Sequence, residues 1–229
     1  MSPVAGFAQK HLVLLATIVA VAVAEPLVGH RSVAAGLFFD AVFAATCWYV
    51  LLTVFSERWE RRVALVALLV ANAANVAHYA LRARAQLPLA LVFHGAAILF
   101  LAFSVYVILR EIVRKQTIGG DDIMGALCGY MLGALVWANV YTMTYLLAPG
   151  AFSVNPELVG RLQDWHRRRA LFDYLSFTTL TSLGYSDIAP AGPPVYSFMW
   201  LEVIFGQFYM AVVVAQLVGL KLAAAVRGR

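Results

Sequence analysis

Apolar residues fall into six long runs, at about 12–27, 33–55, 63–81, 87–109, 123–147 and 195–225, separated by short polar breaks. Most are long enough to cross a bilayer as helices, which takes about 20 residues. A seventh apolar stretch, about 170–182, is too short. As a helix of about twelve residues it rises only about 18 Å, and Pro190, Gly192, Pro193 and Pro194 stop the chain soon after it. Backbone that leaves a helix at membrane depth must be buried in protein or line water. This stretch is therefore expected to enter and leave by the same side. The pattern predicts an all-α membrane protein of six transmembrane helices plus one re-entrant helix and loop.

Composition agrees. Hydrophobic residues make up 62% of the 229 positions and charged residues only 13%, with mean hydropathy +0.80. This excludes an ordinary soluble domain. The net charge of +5 lies mostly in the short breaks, which suits membrane ends better than nucleic-acid binding. With the N-terminus in the cytoplasm, Lys10, Arg58, Arg61, Arg62, Arg110, Arg114, Lys115, Lys221, Arg227 and Arg229 fall inside. Only Arg31, Arg82 and Arg84 fall in short outer breaks, so both termini are expected in the cytoplasm. Lys10 and His11 ahead of the first run, with Ala22-Val23-Ala24 near its end, leave a cleaved signal peptide as the alternative to a first span. Cys47 and Cys128 sit inside apolar runs and suggest no disulfide framework. Gln116–Gly120 divides the chain into a four-helix unit, 1–115, and a helix–re-entrant loop–helix unit, 116–229.

The loop after the short helix carries Thr181-Ser-Leu-Gly-Tyr-Ser-Asp187. It resembles the TTVGYGD selectivity filter of the potassium channels, matching at Thr181, Gly184, Tyr185 and Asp187. Gly129-Tyr-Met-Leu-Gly-Ala, Pro149-Gly-Ala-Phe, and Gly206 twenty residues beyond Ser186 extend the resemblance over about 123–220. It implies a bacterial potassium channel in a prokaryotic plasma membrane. One loop cannot encircle an ion, so three identical partner subunits are expected, making a homotetramer around a central pore. The resemblance assigns K+ to the backbone oxygens of Ser182, Leu183, Gly184 and Tyr185 and to the Ser182 hydroxyl, within a filter of Thr181 to Ser186. It implies no cofactor beyond permeant K+ and bound lipid. Tyr174 and Asp187 are expected to bond to each other and brace the filter, and Glu202 to reach the short helix from behind. Gly206 serves a gating hinge or close packing. Gln207, Met210, Val214 and Val218 are aimed at the conduction path. Ser182, Leu183 and Ser186 depart from the family pattern, Ser186 at a glycine of positive φ.

Other residues carry separate expectations. The run 87–109 has no Arg or Lys, so it lacks the arginine ladder of a voltage sensor; Arg110 at its inner end can snorkel to headgroups. Glu25, Asp40, Asn75, His78 and His94 all fall in the outer half of the membrane, either as interhelical hydrogen bonds or as a proton- or metal-sensitive crevice. Arg167, Arg168 and Arg169 precede the short helix, to bind lipid phosphate or loop carboxylates, or to face solvent. Asp121 and Asp122 can cap the fifth span, and Gly125, Gly129 and Gly133 give it a small-residue face for the last helix. About ten residues follow the membrane part of the last helix, Trp200 to Gly219, so gating is expected from the filter, lipid, pH, the four-helix unit or a separate regulatory subunit. A weakly selective cation channel, and the membrane subunit of a potassium uptake transporter, are the alternatives. No nucleophile–base pair, metal-ligand spacing or phosphate loop points to an enzyme.

Overall fold

The computed structural model describes residues 10–28, 33–80, 86–115, 119–184 and 187–227. Seven helices account for most of them: α1 (Lys10–Val28), α2 (Val33–Thr53), α3 (Arg58–Ala80), α4 (Gln86–Arg114), α5 (Gly120–Leu147), α6 (Trp165–Leu180) and α7 (Pro193–Arg227). Two three-residue strands, β1 (Phe152–Val154) and β2 (Ile188–Pro190), pair antiparallel with Val154 opposite Ile188.

All six long apolar runs are helical, but among the described residues four helices are both long and apolar enough to cross a membrane. They are Ala35–Thr53 of α2, α4, α5 and Pro193–Gln216 of α7. The apolar part of α1, Lys10–Ala24, is shorter. α3 has the length but carries Glu60, Arg61, Arg62, Asn72, Asn75 and His78. These polar residues are partly absorbed by the protein itself. Glu60 is fully buried and pairs with Arg110 of α4 at 2.5 Å, so Arg110 is held by a carboxylate rather than released to headgroups. Asn72 donates to the Leu68 carbonyl at 2.8 Å.

The two units share one core. Leu14 of α1, Val50 of α2, Leu68 of α3 and Leu101 of α4 pack in the same cluster as Leu132 of α5 and Val213 of α7. Close approach makes this possible. A methyl at Gly129 would lie 2.5 Å from the Tyr209 hydroxyl, and one at Gly133 2.7 Å from the Phe205 ring. These two glycines therefore admit α7. Gly125, one turn earlier, faces His11 of α1 instead. At the start of α5 the two aspartates separate in role. Asp122 accepts the Gly119 N–H at 2.9 Å, whereas Asp121 accepts from the His11 backbone N–H at 3.0 Å and meets its ring Nδ1 at 2.7 Å.

α6 begins earlier than its apolar run because Asp164 caps it, accepting the Arg167 N–H at 2.9 Å. Its 16 residues rise about 24 Å, still short of a hydrocarbon core of about 30 Å. Phe152, Leu162, Phe172, Leu175, Ile188 and Val195 form a second buried cluster that seats α6 beneath the β1–β2 ribbon.

Candidate functional site

The site starts where α6 ends. Thr181 closes the helix at φ −83°, Ser182 turns left-handed at φ +59°, and Gly184 does so again at φ +72°. Three consecutive amides then point back into the helix end. Ser182 N–H donates to the Thr179 carbonyl at 2.9 Å, and Leu183 and Gly184 N–H both donate to the Thr178 carbonyl, at 2.8 and 3.2 Å. Every peptide here is trans, and a trans peptide directs its C=O opposite its N–H. The carbonyls of Thr181, Ser182 and Leu183 thus point the other way, outward from a segment exposed in the single chain. A non-glycine residue at positive φ costs about 1–2 kcal/mol. Ser182 is held there from both sides, by its own N–H bond and by Gln207 of α7, whose amide donates to its hydroxyl at 2.9 Å. Tyr185 and Ser186 lie outside the described residues.

Behind the loop stands α7. A methyl on Gly206 would come within 2.4 Å of the Leu180 carbonyl oxygen, so this glycine permits direct backbone contact with the last turn of α6. The same carbonyl accepts from the Tyr130 hydroxyl of α5 at 3.2 Å. One turn before Gly206, the fully buried Glu202 joins three helices. Tyr141 of α5 donates to its Oε2 at 2.5 Å, and Ser176 of α6 lies 2.5 Å from its Oε1. The Ser176 hydroxyl also lies 2.6 Å from the Ala134 carbonyl. A hydroxyl has one proton, and the carbonyl has none to give. Both contacts are satisfied when Ser176 donates to Ala134 and a protonated Glu202 donates to Ser176.

Past the loop, Asp187 is held by Asn155 and not by Tyr174. Asn155 donates its backbone N–H to the Asp187 carbonyl at 2.9 Å and its side-chain amide to Asp187 Oδ1 at 3.4 Å. Tyr174 instead is 48% exposed and borders a cavity between α6 and α1. The reason is geometric: the ribbon brings the Asn155-Pro156 turn to the strand that follows Asp187. Further along α7, Met210, Val214 and Val218 are 44%, 44% and 52% exposed. With Gln207 they form a stripe at helical spacing, and its head touches the loop at Ser182.

Four of the five polar residues expected together, Asp40, Asn75, His78 and His94, have described side chains, and Asp40 and Asn75 line one small cavity with Arg169. Asp40 pairs with Arg169 at 3.2 Å, both largely buried, and the guanidinium stacks 4.3 Å from the Phe43 ring. His94 meets Asn139 of α5 at 2.7 Å. Its ring and that of His78 pack on Trp165 at 5.3 and 4.4 Å. The Asn75 side-chain oxygen is buried. The Glu25 side chain lies outside the described residues. Among the described residues no three His, Cys, Asp or Glu side chains converge as metal ligands. The arginine triplet belongs to the first turn of α6. Arg169 is taken by Asp40, Arg168 donates to the Leu162 carbonyl at 3.1 Å, and Arg167 is exposed.

Asn155, Tyr130, Tyr141 and Ser176 were not evident as site residues in the sequence. Only Asn155-Pro156 carried a signal, that of a turn start. Comparison with known proteins adds no kinship: no family model, no characterised protein and no solved structure matches the chain.

Proposed function

We propose that the chain is one subunit of a homotetrameric, potassium-selective channel. Thr181 to Ser186 would form the filter, and α6 would be the pore helix. The carrying observation is the row of three carbonyls, Thr181, Ser182 and Leu183, turned outward together by amides anchored in the end of α6. Parallel carbonyls repel one another unless a cation lies among them, and oxygens in this arrangement replace a hydration shell. The C-terminal end of α6 adds the negative end of its dipole. One such row covers one side of an ion, so four copies around an axis complete the site. In that assembly the exposed stripe of Gln207, Met210, Val214 and Val218 lines the path below the filter. Val214 and Val218 then narrow the inner mouth to a hydrophobic constriction.

In this reading α1 and α3 cross the membrane alongside the four long apolar helices. The burial of Glu60 against Arg110 and of His94 against Asn139 supports it, since polar groups in a bilayer are satisfied by neighbouring helices. The setting is a prokaryotic plasma membrane, with both termini in the cytoplasm. Purified protein in liposomes should pass K+ in unitary steps, which a carrier does not produce. Its reversal potential in opposed K+ and Na+ gradients should follow K+. A reversal potential near zero would move the assignment to a weakly selective cation channel, a reading favoured by the non-glycine Ser182 at positive φ and by Ser186. In that case Ser186→Gly should raise K+ preference. A particle of one or two chains, against about four times 25.0 kDa, would rule out both.

A further inference from the structure

A cavity of about 280 Å³ lies behind α6, enclosed by α1, α2, α4 and α5. Its walls are Ile18, Val50, Leu101 and Leu132, all buried apolar side chains. Water in the part walled this way finds few polar partners, so that part favours apolar groups. The volume lies at the lower edge of ordinary small-molecule sites, suiting a single hydrocarbon chain more than a bulky ring system. Val23 of α1 and Tyr174 of α6, which also line it, are 60% and 48% exposed and open it to the surface that faces lipid in the proposed orientation. A polar end is formed by Arg169 and Asp173. Charge decides what fits there. Arg169 already carries Asp40 at 3.2 Å, and Asp173 adds a second carboxylate, so the set disfavours another anion. An uncharged hydroxyl can donate to a carboxylate and accept from a guanidinium without desolvating a further charge.

We infer that this cavity binds the chain of an uncharged, hydroxyl-bearing amphiphile of the monoacylglycerol type, its tail between α1 and α5 and its hydroxyl end at Arg169 and Asp173. The occupant would touch the helix that carries the loop along Ala170, Asp173, Tyr174 and Phe177. The site stands apart from ion conduction, and its test reads binding alone.

Delipidated protein in detergent is titrated with monoolein and, separately, with an oleoyl phosphatidylglycerol, by native mass spectrometry and thermal melting. Monoolein should bind once per chain and raise the melting temperature, and the anionic lipid should bind at least about ten-fold more weakly. Ala22→Trp and, independently, Leu135→Trp place a ring in the cavity and should each abolish the monoolein adduct. Should either variant fail to fold, Cys47 provides a second readout, because its thiol lines the same space. In a Cys128→Ser background, monoolein should slow its reaction with a small apolar maleimide several-fold. Equal binding of both lipids, retention of monoolein by a folded filled variant, or an unprotected Cys47 would each overturn the inference. A protein that binds monoolein but passes no K+ would count only against the channel reading.

Discussion

Two residues behind the loop give the sharpest expectations at the scale of single residues. Glu202 is best satisfied as a neutral acid, donating to Ser176 and accepting from Tyr141. Glutamine has the same shape and offers the same donor and acceptor. Glu202→Gln should therefore melt within about 1 kcal/mol of wild type, whereas Glu202→Ala should lose about 2–5 kcal/mol by leaving two buried hydroxyls and a cavity. Thermal melts in detergent compare them; a Gln variant as damaged as the Ala variant would mean that Glu202 works as an anion. Gly206 meets the Leu180 carbonyl, so Gly206→Ala should cost about 1–3 kcal/mol through overpacking. Gly219 has open space around it, and Gly219→Ala in the same helix should be neutral or stabilising by up to about 1 kcal/mol. A hinge without close packing would instead leave Gly206→Ala as stable as wild type. The sequence singled out Glu202 and Gly206 because a lone carboxylate and a mid-helix glycine are both costly in an apolar helix. It left hinge and packing open for Gly206, and the 2.4 Å approach to Leu180 assigns close packing. Asp187 misled for the converse reason. Its partner Asn155 lies 32 positions away across a ribbon that no local pattern announced.

Among the elements, α6 depends most on its ends. Asp164 caps its first turn, and Asp164→Ala should lower stability by about 0.5–2 kcal/mol, read by the same melts. Five residues of this helix, Trp165 to Arg169, lay hidden in a polar stretch taken for loop, although an aspartate ahead of a helical run is a recognisable start signal. The partner of Arg169 was not legible at all, because Asp40 lies 129 positions away. This pair ties α6 to α2. Breaking a buried ion pair from one side leaves an uncompensated charge, so Asp40→Asn or Arg169→Gln alone should each cost about 3–5 kcal/mol. The double variant should recover part of that loss, and strictly additive losses would mean that the two groups are not coupled. The long apolar helices were readable to within a few residues. α3 was readable as a helix from its run at 63–81, although it also carries polar groups that find partners on α4 and along its own backbone.

At the scale of the molecule, α1–α4 share one buried apolar core with α5 and α7. With no Arg or Lys between residues 87 and 109, that part of α4 offers a membrane field no basic side chain to pull, where each charge would be worth about 2.3 kcal/mol per 100 mV. In the proposed channel, open probability in bilayer recordings should therefore stay nearly flat from about −100 to about +100 mV, changing by less than about one gating charge allows. A steep dependence would place the sensor elsewhere, for example at the proposed filter itself. Deleting 1–115 should leave the rest insoluble in mild detergent, because Leu132 and Val213 lose the side chains they pack against.

The β1–β2 ribbon has one more consequence. It staples the exit of the loop to the segment that follows α5, while the entrance is staked to the carbonyls of Thr178 and Thr179. Two anchors thus bracket the loop, one of them on the external side in the proposed orientation. In the proposed channel, a peptide toxin or antibody gripping that outer anchor would act on the loop without ever entering the bilayer.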